Sequence, residues 1–312
     1  MVGEYILSLV VVSLIFAIIA NGYNVLFGYA GQFSFAHMAM AAIGGYISAL
    51  GMIKLGLSFW LVFPLGILVV AGIAYIVAIP GFNLRGHYFG ISTLALGELI
   101  VLFINNTKSL TNGAEGLLVL VKPDPIHLGG ITISFEGPNN YYYLVLLFYV
   151  LTTVAMWRLS RSFAGAMWLA IRGDDVLAES VGVDTKRYKI LAFVIGCGMA
   201  AIGGSLYGHY ISYLTPEAFS AFGTIEVLMM VLIGGKGTIL GPLIGALLLT
   251  AIPQLISISP ALRLIVYGCI LIVVILLIPQ GIVGWFEALS QRMRRPGVTL
   301  PKPKQGGHLE GG

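Results

Sequence analysis

The sequence predicts an all-α, polytopic helical membrane protein with about eight to nine transmembrane helices, and three observations carry that prediction. Of its 312 residues, 58% are hydrophobic and only 10% are charged, against about 25% charged in an average soluble domain. The mean hydropathy is +0.95 over the whole chain, so there is too little polar surface to coat a globule and lipid must solvate most of it. The apolar residues also come in continuous runs close to the roughly 20 residues that a helix needs to cross the hydrocarbon. The alternating segments of an outer-membrane barrel are absent. An ordinary soluble enzyme is excluded. No A-x-A-like cleavage site follows the first run, which is therefore read as part of the mature protein.

In chain order the windows lie near 5–27, 33–53, 58–80, 88–106, 141–158, 189–212, 223–257 and 262–279. A transmembrane domain is expected over 1–290. Lys and Arg in short loops mark the cytoplasmic side. Six of them, Arg158, Arg161, Arg172, Lys186, Arg187 and Lys189, cluster around 159–188, and five more lie in the tail, from Arg292 to Lys304. Both segments are expected in the cytoplasm, with Arg85. The 107–140 loop and the N-terminus are expected outside, in a bacterial or archaeal plasma membrane. That loop, with Pro123, Pro125, Gly129, Gly130 and Pro138, is long enough for small structure of its own. The tail, 291–312, reads as disordered. The 223–257 window is too long for one span and is broken by Gly234, Gly235 and Gly237, so it either crosses twice or dips in and returns.

Within 159–188, Asp174 and Asp175 stand where a short helix begins, and Gly182 follows Ala178 and Glu179 as its stop. That makes two turns with a small apolar face; the alternative is a solvated linker. Between Asn21 and Ser48, many Gly and Ala residues give two helices small faces, while Asn21, Asn24, Gln32, Ser34 and His37 are polar groups that lipid disfavours. Gln32, Ser34 and His37 either line a translocation path or are satisfied locally. Glu98 and Glu226 stand in apolar windows and face the bundle interior, a path or an interface. Tyr141, Tyr142, Tyr143 and Trp285 read as interfacial anchors. Thr215-Pro216, with Glu217 and Phe219, is an entrance element or a plain turn. Cys197 and Cys269 lie in apolar runs outside any C-x-x-C pair, which leaves disulfide, zinc and iron-sulfur chemistry unsupported, and no metal site is expected. Ser205 and His209 at i, i+4 are a nominal protease pair without a third group.

Several stretches carry a resemblance. They are Asn24-Val-Leu-Phe-Gly28-Tyr-Ala-Gly31-Gln32-Phe-Ser34-Phe-Ala-His37, Leu84-Arg85-Gly86-His87-Tyr88-Phe89, Leu110-Thr-Asn-Gly-Ala-Glu-Gly116-Leu117, Ala170-Ile-Arg172 through Lys189-Ile-Leu-Ala-Phe193, and Ile233-Gly-Gly-Lys-Gly-Thr238 to Gly241-Pro242. In this order, over about residues 20 to 250, they resemble permease subunits of the high-affinity branched-chain amino acid ABC transporter family, the LivM type. The resemblance implies an ABC importer permease. It would pair with a sister permease (a heterodimer, or else a homodimer), two ATP-binding subunits and an extracytoplasmic substrate-binding protein, in membrane lipid and with no nucleic acid. It also implies that the helix around Arg172, Asp174, Asp175, Ala178, Gly182 and Lys189 couples to the ATPase. The only Gly-Lys, Gly235-Lys236, lacks the rest of a P-loop, so the chain is expected to be no enzyme and to bind no cofactor, ATP and Mg belonging to partner subunits. Branched-chain or related neutral amino acids are the expected substrates, with urea or short-chain amides as the alternative and an ion-gradient-driven carrier as the rival class.

Overall fold

The computed structural model describes residues 2–83, 88–128 and 131–256, with a few helical positions between 268 and 285. The chain runs through α1 (Val2–Tyr23), which continues as a π-turn (Asn24–Tyr29), then α2 (His37–Leu55), α3 (Phe59–Gly81), α4 (Tyr88–Asn106) and the single turn α5 (Lys108–Thr111). Next come strands β1 (Leu117–Leu118), β2 (Ile126–Leu128) and β3 (Ile131–Ile133), helices α6 (Pro138–Ser160), α7 (Phe163–Gly173), α8 (Asp175–Ser180) and α9 (Thr185–Ile211), strand β4 (Tyr213–Leu214), and α10 (Ala221–Gly234) and α11 (Gly241–Ile256). Among the described residues, six helices are long and apolar enough to cross a membrane: Gly3–Tyr29, α2, α3, α4, α6 and α9. The eight or nine that the windows predict are thus not all found. Most of the 262–279 window, together with Arg85 and the 291–312 tail, lies outside the described residues.

Small residues let α1 and α2 press directly on α9. A Cβ on Gly22 would lie 2.4 Å from the carbonyl oxygen of Gly196, and one on Gly204 only 1.9 Å from that of Ala41. Backbone touches backbone there, the small-residue packing that lipid-solvated bundles favour. Since Gly22 meets Gly196 while Gly203 meets Ile15 and Ile19, α1 and α9 run antiparallel. The N-terminus of α1 therefore shares an end with Ile211. Lys54 Nζ donates to Ser109 O (2.7 Å) and Val119 N to Ser212 O (2.9 Å), which places the 107–137 loop at that same end, here the loop end. The opposite, basic end holds α7 and α8.

The 33–53 window is not one helix. His37 starts α2 well below the membrane surface, its Nε2 within 3.0 Å of Ile19 O inside the Gly3–Tyr29 span. Residues 30–36 reach that point as irregular chain lying along α4, with Phe35 N donating to Thr93 Oγ1 (3.1 Å). Hydropathy continues through the break because Phe33, Phe35 and Ala36 are apolar.

The 223–257 window resolves as a hairpin of two short helices. Met230 faces Gly245 and Gly234 faces Gly241, so α10 and α11 are antiparallel. Fourteen residues of α10 span roughly 21 Å at 1.5 Å per residue, short of the ~30 Å hydrocarbon core. The hairpin tip lies at the basic end, where Gly237 N donates to Asn24 Oδ1, and the window continues past Ile256, outside the described residues, so neither alternative for the number of crossings is decided.

Candidate functional site

Three regions bring the singled-out residues together. The first is at mid-depth, where two helices begin inside the membrane thickness and are reached by irregular chain from opposite ends. Thr224 Oγ1, in the first turn of α10, donates to Phe35 O (2.9 Å) and accepts from Met38 N (3.2 Å), fastening the start of α10 to the start of α2. Ser34 is fully buried, and its Oγ accepts from Ala36 N (3.3 Å). His37 is also fully buried and meets the Tyr23 ring edge-on, at 5.0 Å between centroids. Both residues are thus part of the wall that positions the two helix starts. Glu98 lies away from them, exposed on the outer side of α4 with Ile91, Leu99, Leu102 and Phe103. Buried Thr93 and Thr224 had no sequence signal, since a threonine in an apolar helix is unremarked until its partner is known.

The second region is a crevice of about 460 Å³ toward the loop end, lined by Phe16, Met38, Glu217, Phe219, Glu226 and Thr250 among others. The Pro216–Phe219 turn forms one rim. Above it, β1 pairs with β4 (Leu117 with Leu214, Leu118 with Tyr213) and ties the 107–137 loop to the α9–α10 connection. Lys122 Nζ donates to His209 O (2.6 Å), Tyr210 O (3.3 Å) and Ser212 Oγ (2.9 Å), capping the end of α9. Burial holds the Lys122 ammonium pKa below its ordinary value.

The third region is the basic end. Asp174 caps α8, its Oδ1 accepting from Leu177 N (2.9 Å), and Gly182 follows with φ +91°, a left-handed position suited to glycine. Asp175 is paired with Lys189 of α9. Ala178 is buried at 5% exposure, whereas Val176, Leu177 and Val181 are 77%, 62% and 73% exposed, so these three carry the outward apolar face. The Ala178 methyl therefore seats α8 on its own chain. Trp168, fully buried, anchors α7 by donating Nε1 to Tyr188 O (2.8 Å). Arg172 is no exposed charge, because it donates to Gly28 O at the end of the π-turn. Next to it stands the hairpin tip of Gly234, Gly235 and Gly237, and Asn24 binds that tip twice, Nδ2 to Thr238 O (2.8 Å) and Oδ1 from Gly237 N (2.8 Å). Asn24 counted in the sequence only as one polar group among several. Gln32 lines a crevice of about 880 Å³ with Asn83, Asp175, Glu179, Lys186 and Lys189.

One expectation is corrected, that of Tyr141, and the nominal Ser205/His209 pair is set aside as the sequence expects. Tyr141 is buried and donates to Leu206 O (2.8 Å), which makes it a packing residue, while Tyr143 stays 65% exposed. Ser205 Oγ donates to Gly44 O (3.1 Å) and His209 Nδ1 lies 2.9 Å from Val121 O, so each side chain is engaged with backbone elsewhere instead of forming a nucleophile-base pair.

Comparison with known proteins finds similar chains among transport permeases. The high-affinity branched-chain amino acid transport system permease protein LivM of Escherichia coli (strain K12) is 29% identical over 301 residues, covering 90% of this chain and 71% of that protein. LivM of Salmonella typhimurium is 30% identical over 301 residues with the same coverage. LivH of Salmonella typhimurium, from the same type of system, is 29% identical over 284 residues, 86% of this chain and 91% of that protein. No solved structure matches significantly. Residues 5–275 match the model of the branched-chain amino acid transport system permease component, and this multi-pass helical membrane protein belongs to that family.

Proposed function

We propose that the chain is one of two permease subunits of an ATP-driven importer and forms part of the translocation path for branched-chain or related neutral amino acids. The observation that carries the reading is the position of α8. Its buried side is fixed to the bundle through Ala178 and the Asp175–Lys189 pair, while Val176, Leu177 and Val181 are presented to solvent. An exposed apolar face of that kind needs a partner, and a P-loop is missing from this sequence, so the partner is the ATPase. By the excess of Lys and Arg, the basic end is cytoplasmic, and the loop end with the N-terminus is extracytoplasmic, where a substrate-binding protein delivers its cargo.

Irregular backbone at membrane depth is tolerated where it is buried in protein or lines water, which favours residues 30–36 and the hairpin tip as boundaries of the path. The loop-end crevice combines Glu217 and Glu226 with an apolar wall of Phe16 and Met38, chemistry suited to an ammonium group and an aliphatic chain. This favours amino acids over urea. Glu98 supports the pairing with a sister permease. A charge at the centre of a bilayer costs about 2.5–3.5 kcal/mol on insertion scales, so its exposed face on α4 fits another protein or a watery path better than lipid.

The test is transport by the complete complex in vesicles. ATP inside and binding protein outside should drive uptake of labelled leucine, unaffected by ionophores that collapse ion gradients. Uptake that follows an ion gradient without ATP would reject the importer, and uptake of urea in place of leucine would reject the substrate class.

A further inference from the structure

Three segments far apart in the sequence meet at one point on the basic end. The π-turn that closes α1 supplies Asn24 and Gly28, α7 supplies Arg172, and the tip of the α10–α11 hairpin supplies Gly235, Gly237 and Thr238. The contact is specific in its chemistry. A carboxamide offers a donor and an acceptor side by side, and the fully buried Asn24 uses both on the tip backbone, donating to Thr238 O and accepting from Gly237 N, each at 2.8 Å. Gly28 leaves the room for this, because a Cβ there would fall 1.9 Å from Asn24 Oδ1. Gly237 has φ +76°, and a Cβ on it would lie 2.8 Å from Arg172 Nη1. Arg172 thus spans the end of α1 and the hairpin tip, and its own helix leads in two residues to the capping Asp174 of α8.

We propose that this junction is the inner gate of the path: Asn24 latches the hairpin tip to α1, and Arg172 transmits movement of α8 to the latch. The proposal rests on the importer reading and adds the place where the path closes and the residues that close it. The construction suits a reversible closure. Side-chain and peptide groups that part when water enters exchange protein hydrogen bonds for water hydrogen bonds at small net cost, whereas an interdigitated apolar plug would expose its surface on opening. The π-turn fits as well, since an i→i+5 turn is a local departure from helical geometry that recurs at functional sites.

The gate is tested in the reconstituted complex, in a background with Cys197 and Cys269 replaced by Ala. Asn24→Cys with Thr238→Cys places two thiols across the latch. Oxidation to the disulfide, confirmed by mass spectrometry, should lower ATP-driven leucine uptake at least tenfold, and reduction should restore it, with each single-cysteine variant insensitive. Uptake at the reduced rate while the disulfide is intact would overturn the proposal. If the reduced double variant does not transport, a second arm decides: Asn24→Ala and Arg172→Ala in vesicles preloaded with labelled leucine and lacking ATP. A leak at least fivefold above the unsubstituted complex supports a gate that no longer closes; retention equal to the unsubstituted complex overturns it. This arm needs no ATP, so its outcome is independent of whether ATP drives import.

Discussion

Ala178 is enclosed between α8 and the rest of the chain, and its carbonyl accepts from Val183 N (3.1 Å) where the helix ends. An indole in that space would force α8 away from its seat at a cost of roughly 1–3 kcal/mol, the usual range for overpacking. At Gly182 a β-branched side chain would have to adopt φ near +91°, with strain of about 1–3 kcal/mol. Ala178→Trp and Gly182→Val should therefore insert at normal levels yet fall below a tenth of normal leucine uptake and fail to stimulate ATP hydrolysis. Leu177→Asp should leave α8 seated and instead prevent copurification of the ATPase subunits. Normal uptake by the Ala178 and Gly182 variants would remove α8 from the mechanism. The sequence marks Asp174 and Gly182 by residue type, as a cap and a stop. It does not show which side of a two-turn helix faces inward, because α8 is too short for a periodic pattern to have a direction.

The hairpin was legible as an element because a run of glycines interrupts an apolar window too long for one span. The break before α2 was not, because its chain stays apolar while it leaves the helix, and averaging over a window hides a change in backbone conformation. Packing separates the glycines that matter from those that do not. A Cβ at Gly245 would stand 1.8 Å from Met230 O, so Gly245→Ala must push α10 and α11 apart. Gly72 has open space around its missing Cβ and lies inside α3, where Ala is preferred by about 0.5–1 kcal/mol. Thermal unfolding in detergent should show Gly245→Ala destabilised by several degrees and Gly72→Ala unchanged or slightly stabilised. The reverse order would contradict the tight antiparallel pairing of the hairpin.

For the molecule as a whole, the two ends are distinguished by packing and their sides by charge. In a background without the native cysteines, single cysteines at Ser180 and Leu120, both on exposed stretches, should react with an impermeant thiol reagent from opposite faces of a sealed membrane, Leu120 from outside. Reaction of both from one face would refute the topology. That the chain forms apolar helices long enough to span follows from hydropathy, a local property of the string. The meeting of Asn24, Arg172 and Gly237 does not, since it depends on how helices far apart in the chain are stacked. The glycine contacts that join α1 and α2 to α9 have a further consequence for motion. Where main chain abuts main chain there are no side chains to rearrange, so these three helices have no soft layer in which to slide. Any large movement must then pivot around them as a stiff frame.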